Sequence, residues 1–132
     1  MARLGIAVVL LVCCSALTQA GRLLGGRQAV NSESPEVKDA LAFAMYELNK
    51  ASNDMYAARP MTVTNAEKQI VSGINYFFDL DVARTHCRKP TTDVSSCRFH
   101  TDPALVKVSK CHLQVYYVPW TSERRLVKSE CV

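Results

Sequence analysis

The sequence predicts an α+β domain in which one long helix packs on an antiparallel sheet of four to five strands. Apolar residues recur at helical spacing between residues 37 and 48, whereas residues 74–82 alternate between apolar and mostly polar side chains. Two further strand-like segments, residues 105–118 and 124–131, predict a terminal hairpin. With 132 residues, the chain is long enough for one domain and too short for two.

Residues 1–20 are predicted to be a secretory signal peptide. Arg3 supplies the positive start, and the residues from Leu4 to Leu17 are mostly apolar. Small residues at Thr18 and Ala20 precede a cleavage site between Ala20 and Gly21. The apolar segment is short for a bilayer span, so a retained membrane anchor is the weaker alternative. We therefore expect a secreted, extracellular domain formed by residues 21–132.

The mature chain is predicted to open with a flexible N-terminal arm, residues 21–33, which has two adjacent glycines and no apolar period. A helix should follow to about Lys50, with Ser34 as its N-cap and Pro35 in its first turn. Acidic residues near its start suit the positive end of the helix dipole. The apolar stripe that would face the sheet consists of Val37, Ala40, Leu41, Ala44, Met45 and Leu48.

Two strands are predicted after the helix, at residues 61–71 and 74–83, and they meet at Ser72-Gly73. This turn is unusual because Ile70 and Val71 stand beside the glycine, whereas hairpin turns are normally polar.

Four cysteines remain once the two in the signal peptide have been removed, and an even number in a small exported domain predicts two disulfides. If the terminal hairpin pairs about Thr121, Cys111 faces Cys131, because each lies ten residues from that centre. Elimination then leaves Cys87 with Cys97, which would tie the loop between the two hairpins.

The charge pattern argues against nucleic acid and membranes as partners. The whole chain carries a formal charge of +4, and Arg3 is the one charged residue among the first 20, so the mature part carries +3. These charges are scattered and form no basic stripe with interleaved aromatics. A toxin-like protein acting on membranes is disfavoured for the same reason, and because the helix begins with acidic residues.

The sequence contains no recognisable catalytic or metal-binding motif, so we expect neither enzyme activity nor a cofactor. A cysteine nucleophile needs a reduced thiol beside an imidazole. His86 and His112 each adjoin a cysteine, but neighbours on a strand point to opposite faces. A zinc site from Cys97, His100, Cys111 and His112 would match no compact ligand spacing.

Three apolar features are difficult to explain by internal packing alone: the first turn, Trp120 in the second turn, and Leu23-Leu24 in the arm. Each has a simple alternative, since a lone tryptophan can fold back on its own sheet and leucines near a chain start can be disordered. Together they suggest more. The predicted topology places both turns at one end of the sheet with the arm nearby, and three exposed apolar elements at one end indicate a binding surface.

These residues make the chain resemble the type 2 cystatins over essentially its whole mature length. The shared segments occur in order as "RLLGG", "ALAFAMYELNKASNDMY", "QIVSG" (a Gln-x-Val-x-Gly motif), "NYFFDLDVARTHC", "CRFH" and "VPW". Members of this family are reversible, tight-binding inhibitors of papain-like cysteine proteases such as cathepsins. The resemblance implies that the arm and both turns form a wedge for the protease cleft, and it implies the same two disulfides.

The resemblance assigns protease binding to three segments and suggests a second site. The protease-binding residues would be Leu23, Leu24 and Gly25 with Arg22 adjoining, then Gln69, Ile70, Val71, Ser72 and Gly73, and finally Pro119 and Trp120. Asn53 matches an asparagine with which some relatives inhibit legumain, an asparagine-specific endopeptidase; the alternative is an asparagine that merely ends the helix. Arg27 departs from the apolar residue or proline of many relatives, and we expect it to shift preference among proteases.

A different interpretation is a cystatin-fold domain that does not inhibit and serves as a carrier, propiece or binding module. Such relatives usually lack at least one of the three binding segments, and this chain keeps all three. Relatives also form domain-swapped dimers by opening at the first hairpin, where Val71 occupies the matching position. We expect a monomer that swaps under stress.

Overall fold

A computed structural model describes residues 25–91 and 93–132, so the predicted signal peptide, Leu23 and Leu24 lie outside the described residues. Helix α1 (Pro35–Ala51) lies on a five-stranded antiparallel sheet, which confirms the predicted α+β class. The strands follow chain order across the sheet. They are β1 (Arg27–Ala29), β2 (Tyr56–Val71), β3 (Gly73–Arg88), β4 (Val108–Val118) and β5 (Glu123–Cys131).

The core lies between the helix and one face of the sheet. On the helix, Val37 and Ala44 are completely buried and Leu48 is half-buried, so the predicted stripe is confirmed. The sheet contributes Tyr76, Phe78, Leu80, Val82, Leu113 and Val115, all at most 4 % exposed. Each large apolar side chain buried in this way contributes about 1.5–3 kcal/mol to stability. We call the face of the sheet turned away from α1 the outer face.

Helix α1 begins and ends within one residue of the predicted limits. Ser34 occupies the N-cap position, but its side chain makes no capping hydrogen bond. At the other end, Lys89 donates from Nζ to the carbonyl oxygens of Asn49 (2.8 Å) and Ser52 (2.7 Å), and so adds a side-chain partner at the C-terminus of the helix. No helix within residues 25–91 and 93–132 is long and apolar enough to cross a membrane.

Strand β2 begins at Tyr56, five residues before the predicted start, and includes Pro60. The side chain of Asn49 makes this extension favourable, because it accepts from the Ala58 N–H (2.8 Å) and donates to the Ala58 carbonyl (2.9 Å), as a neighbouring strand would. Pro60 lacks an N–H and is tolerated here because this part of β2 is paired with β3 alone.

The expected flexible arm over residues 21–33 is wrong for residues 27–29, which form β1. Arg27 pairs with Gln69, and Ala29 pairs with Glu67. The Val30 N–H continues the ladder by donating to the Ala66 carbonyl at 3.0 Å. The chain is therefore fixed to the sheet from Arg27 onward.

Candidate functional site

The first hairpin turn is a tight reversal about Ser72, with Val71 paired to Gly73 and Ile70 paired to Ile74. Ile70 and Val71 expose 49 % and 44 % of their surfaces. Ile70 and Val71, which are unusual as apolar residues in a turn, are therefore exposed to solvent at the tip of the hairpin.

Tyr116 of β4 supports this turn from the outer face. Its hydroxyl donates to the Ser72 carbonyl at 2.6 Å. Its ring also fills the space beside Gly73, where an added Cβ would lie 2.7–2.9 Å from the tyrosine hydroxyl, Cε2 and Cζ atoms. Gly73 has a φ of +136°, which L side chains rarely adopt. Tyr116 belongs to none of the motifs in the sequence, although an aromatic residue on the strand beside the glycine is a usable signal.

The second hairpin turn connects β4 to β5 and carries the lone tryptophan outward. Val118 pairs with Glu123, and the turn includes a positive φ of 57° at Ser122. Trp120 exposes 70 % of its surface. The alternative in which this indole folds back on its own sheet is therefore wrong.

The two turns lie side by side because β3 and β4 are antiparallel neighbours. Ile74, directly after the first turn, pairs with Tyr117, directly before the second. The Gln69 side-chain amide donates to the Gly25 carbonyl, which brings the end of the arm to the same place. We call this end of the sheet, formed by residues 70–73 and 119–122, the turn end.

Three arginines flank the turn end. The Arg27 guanidinium lies 3.6 Å from the centre of the Phe77 ring, on the outer face. Arg125 lies 5.4 Å from the Tyr116 ring centre, and Arg124 lies 4.9 Å from that of Tyr117. Such cation–π contacts contribute about 0.5–1 kcal/mol each at exposed sites. Arg27 is thus held against the sheet.

Asn53 lies at the opposite end of the sheet, in the connection between α1 and β2. It is exposed, and the residues on either side of it are tied down. The Ser52 hydroxyl accepts from the Asp54 N–H (3.1 Å), and the Asp54 carboxylate accepts from the Tyr56 N–H (3.0 Å). Arg84 of β3 binds the same carboxylate through Nε (2.8 Å) and a terminal nitrogen (2.6 Å). We call residues 52–55 the asparagine loop.

The Asp54 carboxyl is held in its charged form. Partial burial on its own would raise the pKa of Asp54. The hydrogen bonds from the Tyr56 N–H and Arg84, together with the positive charges of Arg84 and Lys107, outweigh that effect and lower the pKa below its ordinary value. The ion pair therefore persists at neutral pH and keeps the asparagine loop in place.

Both predicted disulfides are present, Cys87–Cys97 and Cys111–Cys131. The second pairing needs one irregularity, because the register about the turn, with Val118 opposite Glu123, would place Cys111 opposite a neighbouring residue. A β-bulge between Gln114 and Val115 shifts the register by one residue.

Because all four cysteines are in disulfides, a free thiol nucleophile or a cysteine–zinc site is ruled out at these positions. The part of the chain that the structure describes contains no other group of three acidic, histidine or cysteine side chains suited to a metal.

Comparison with known proteins agrees with this geometry. A family model described as a cystatin domain matches residues 25–120. Cystatin-2 of Crotalus adamanteus is 45 % identical over 124 residues, covering 94 % of this chain and 91 % of the relative. Cystatin-C of Bos taurus is 46 % identical over 111 residues, covering 84 % and 75 %. The crystal structure of dimeric human cystatin F superposes with a TM-score of 0.75 at 25 % identity, covering 92 % of this chain and 96 % of that one. The chain therefore belongs to the cystatin family, which is a family of protease inhibitors and not of enzymes.

Proposed function

We propose that this protein is a secreted, reversible, tight-binding inhibitor of papain-like cysteine proteases, and that its turn end enters the active-site cleft as a wedge. Membership in the cystatin family supports cysteine-protease inhibition as the general activity. The observation that carries the wedge is the exposure of Ile70, Val71 and Trp120 at one end of the sheet, where Gln69 also anchors Gly25.

The physical case for the wedge rests on exposed anchors held by a rigid frame. Tryptophan is the residue type most enriched at interface hot spots, and truncating such an anchor commonly costs about 2 kcal/mol or more. Tyr116 and the strand ladders already hold both turns in place, so binding loses little ordering entropy. Pro119 stiffens the second turn. In this proposal Leu23 and Leu24 enter pockets on the non-primed side, and Pro119 and Trp120 cover the primed side.

A wedge of this kind inhibits without being cleaved. It touches the protease on both sides of the catalytic cysteine and need not present a peptide bond to the sulfur. Substrate is excluded by occupation of the cleft. No covalent chemistry on this chain is required, and the four cysteines within residues 87–131 are all oxidised.

Titration of residues 21–132 against papain tests this function. We expect stoichiometric inhibition with the inhibitor recovered intact.

Trp120→Ala should raise the inhibition constant by about 30-fold, the equivalent of about 2 kcal/mol of binding free energy. Val106→Ala is the control, because Val106 is also an exposed apolar residue (46 %, against 70 % for Trp120) and precedes β4, far from the turn end. Gradual loss of inhibition with cleavage at Gly73, or equal effects of the two variants, would contradict the wedge.

We also propose a second, independent site for legumain at Asn53. The asparagine loop presents this residue to solvent while Arg84 and Lys89 fix its flanks, so an asparagine-specific protease would meet a preformed turn. The loop lies at the opposite end of the sheet from the turn end, so both proteases can bind one molecule.

Replacement of Asn53 separates the two activities. Asn53→Lys should abolish legumain inhibition and leave papain inhibition unchanged, because the substitution is distant from Val71 and Trp120. Inhibition constants against both enzymes provide the measurement, and an equal loss of both would point to misfolding and against a separate site.

The cellular setting follows from the same proposal. Cystatins are generally secreted proteins, and we extend this to the present chain with cleavage between Ala20 and Gly21. A non-inhibitory carrier or binding module is the competing function; it predicts no titration of papain, of a cathepsin panel or of legumain.

A further inference from the structure

The side chain of Gln69 is directed toward its own chain, although the residue lies within the first binding segment. Gln69 stands between Arg27 of β1 and Asn75 of β3 on the outer face, and it is only partly exposed. Its Nε2 donates a hydrogen bond to the Gly25 carbonyl. A side chain committed in this way is a weaker candidate for direct contact with a partner than its exposed neighbours Ile70 and Val71.

Gly25 is the first residue of the arm that the structure describes, and its backbone is in the left-handed region. Its φ is +89°, yet an added Cβ would meet nothing within 4 Å. A glycine is therefore favoured here by the backbone conformation alone and not by the closeness of another group. Two residues later, the Arg27 guanidinium rests on the Phe77 ring and fixes the start of β1. The Gln69 side-chain amide holds the carbonyl oxygen of Gly25, which precedes the part of the chain that β1 fixes.

We propose that Gln69 is a positioning residue: it directs the arm along the first turn by holding the Gly25 carbonyl, and it acts on a protease only through the arm. This inference rests on the proposed inhibitory function. Its consequence is that two of the three parts of the wedge are coupled before binding. A protease then meets a Gly25 that is already held beside the first turn, which reduces the entropy lost on association.

The first test needs no protease. In the intact domain, steady-state ¹⁵N heteronuclear Overhauser effects of the Gly26 and Arg27 amides report their mobility on the picosecond to nanosecond timescale. Gln69→Ala should lower the values at these amides. Gln114→Ala is the matched control, since Gln114 is the same residue type on the outer face and bonds Asn75 instead of the arm. Unchanged mobility in Gln69→Ala, or equal changes in both variants, would overturn the inference.

The second test is a double-mutant cycle with papain. In the wild-type background, Gln69→Ala should weaken inhibition about three- to ten-fold, the effect of one lost hydrogen bond. In a background carrying Leu23→Ala and Leu24→Ala, the same change should have less than about a two-fold effect, because the arm no longer contributes contacts. Gln69→Glu, which removes the amide donor but keeps the shape, should behave like Gln69→Ala.

The outcomes distinguish failure of this inference from failure of the proposed inhibitory function. Equal losses from Gln69→Ala in both backgrounds would mean that Gln69 touches the protease directly, and no loss in either would mean that the bond is without consequence; both overturn the inference. Failure of the wild-type protein to inhibit papain would instead overturn the proposed function, and the mobility measurement would still decide what Gln69 does.

Discussion

Gly25 and Gly73 both adopt positive φ near the turn end, but they differ in what surrounds them. The Cβ position of Gly25 is open, whereas that of Gly73 is occupied by the Tyr116 ring and hydroxyl. Gly73 is therefore required twice, by its backbone conformation and by the side chain beside it. The family resemblance implies a binding role for Gly73, and the structure adds this requirement from within the molecule.

The difference between the two glycines predicts different costs of an added methyl group. Gly73→Ala should destabilise the domain by about 2–4 kcal/mol, combining backbone strain with overpacking against Tyr116. Gly25→Ala should cost less, about 1–2 kcal/mol, because it adds backbone strain without crowding any neighbour. Urea unfolding measures both values.

A third variant separates strain from crowding at this turn. Adding Tyr116→Ala to Gly73→Ala removes the crowding but not the strain, so Gly73→Ala should cost less in the Tyr116→Ala background than alone. A Gly73→Ala cost no larger than that of Gly25→Ala would refute this account.

Among the connecting elements, the asparagine loop is held in place by one partly buried ion pair. Asp54 and Arg84 have side chains 18 % and 22 % exposed, and their contact joins the α1–β2 connection to β3. Arg84 also donates from a terminal nitrogen to the Leu105 carbonyl at 3.0 Å, so it links three segments. The sequence does not distinguish this residue, because one arginine among 16 basic residues carries no local signal of its own.

This ion pair predicts a stability difference that depends on pH. The lowered pKa of Asp54 means that its interactions stabilise the fold above about pH 4, where an unfolded aspartate is ionised. That contribution is lost as the pH falls through the lower pKa of the folded state. Asp54→Asn should cost about 1–2 kcal/mol at pH 7, and the difference from wild type should shrink steadily below pH 4. Urea unfolding from pH 7 to pH 2.5 provides the comparison, and a difference independent of pH would show that Asp54 acts through shape alone.

At the scale of the whole molecule, the two proposed sites lie at opposite ends of the sheet, and the first turn divides the fold into two parts. β1, α1 and β2 precede Ser72, whereas β3, β4 and β5 follow it. If that turn opened, the first part of one copy would pack on the second part of another with nearly the same contacts. The turn end would be altered by such an exchange, and the asparagine loop would stay intact.

We therefore expect a monomer at low micromolar concentration that forms a swapped dimer after incubation in partially unfolding denaturant. The dimer should lose papain inhibition, because Val71 to Gly73 no longer form a turn, and should retain legumain inhibition at Asn53. Size exclusion with light scattering, followed by assays of each fraction, tests this expectation. A protein that is dimeric at low concentration, or a dimer that inhibits papain fully, would contradict it.

Much of the fold could be predicted because its signals are local. The spacing from Val37 to Leu48 defines a helix face, and the alternation from Ile74 to Val82 defines a strand, whatever the rest of the chain does. Two predictions failed for a non-local reason. The start of β2 depends on the side-chain amide of Asn49, which makes the two backbone hydrogen bonds that a neighbouring strand would make. Strand β1 forms because residues 27–29 pair with the edge of β2 that β3 does not occupy.

By itself, the sequence determined the fold class, both disulfide pairs and the apolar character of the two turns, since each depends on residue type and spacing along the chain. The tertiary structure alone decided that Ile70 and Trp120 point outward at one end, that Tyr116 fills the space beside Gly73, and that Gln69 holds Gly25. These relations join residues up to 44 positions apart, and only the register of the paired strands brings them within contact distance.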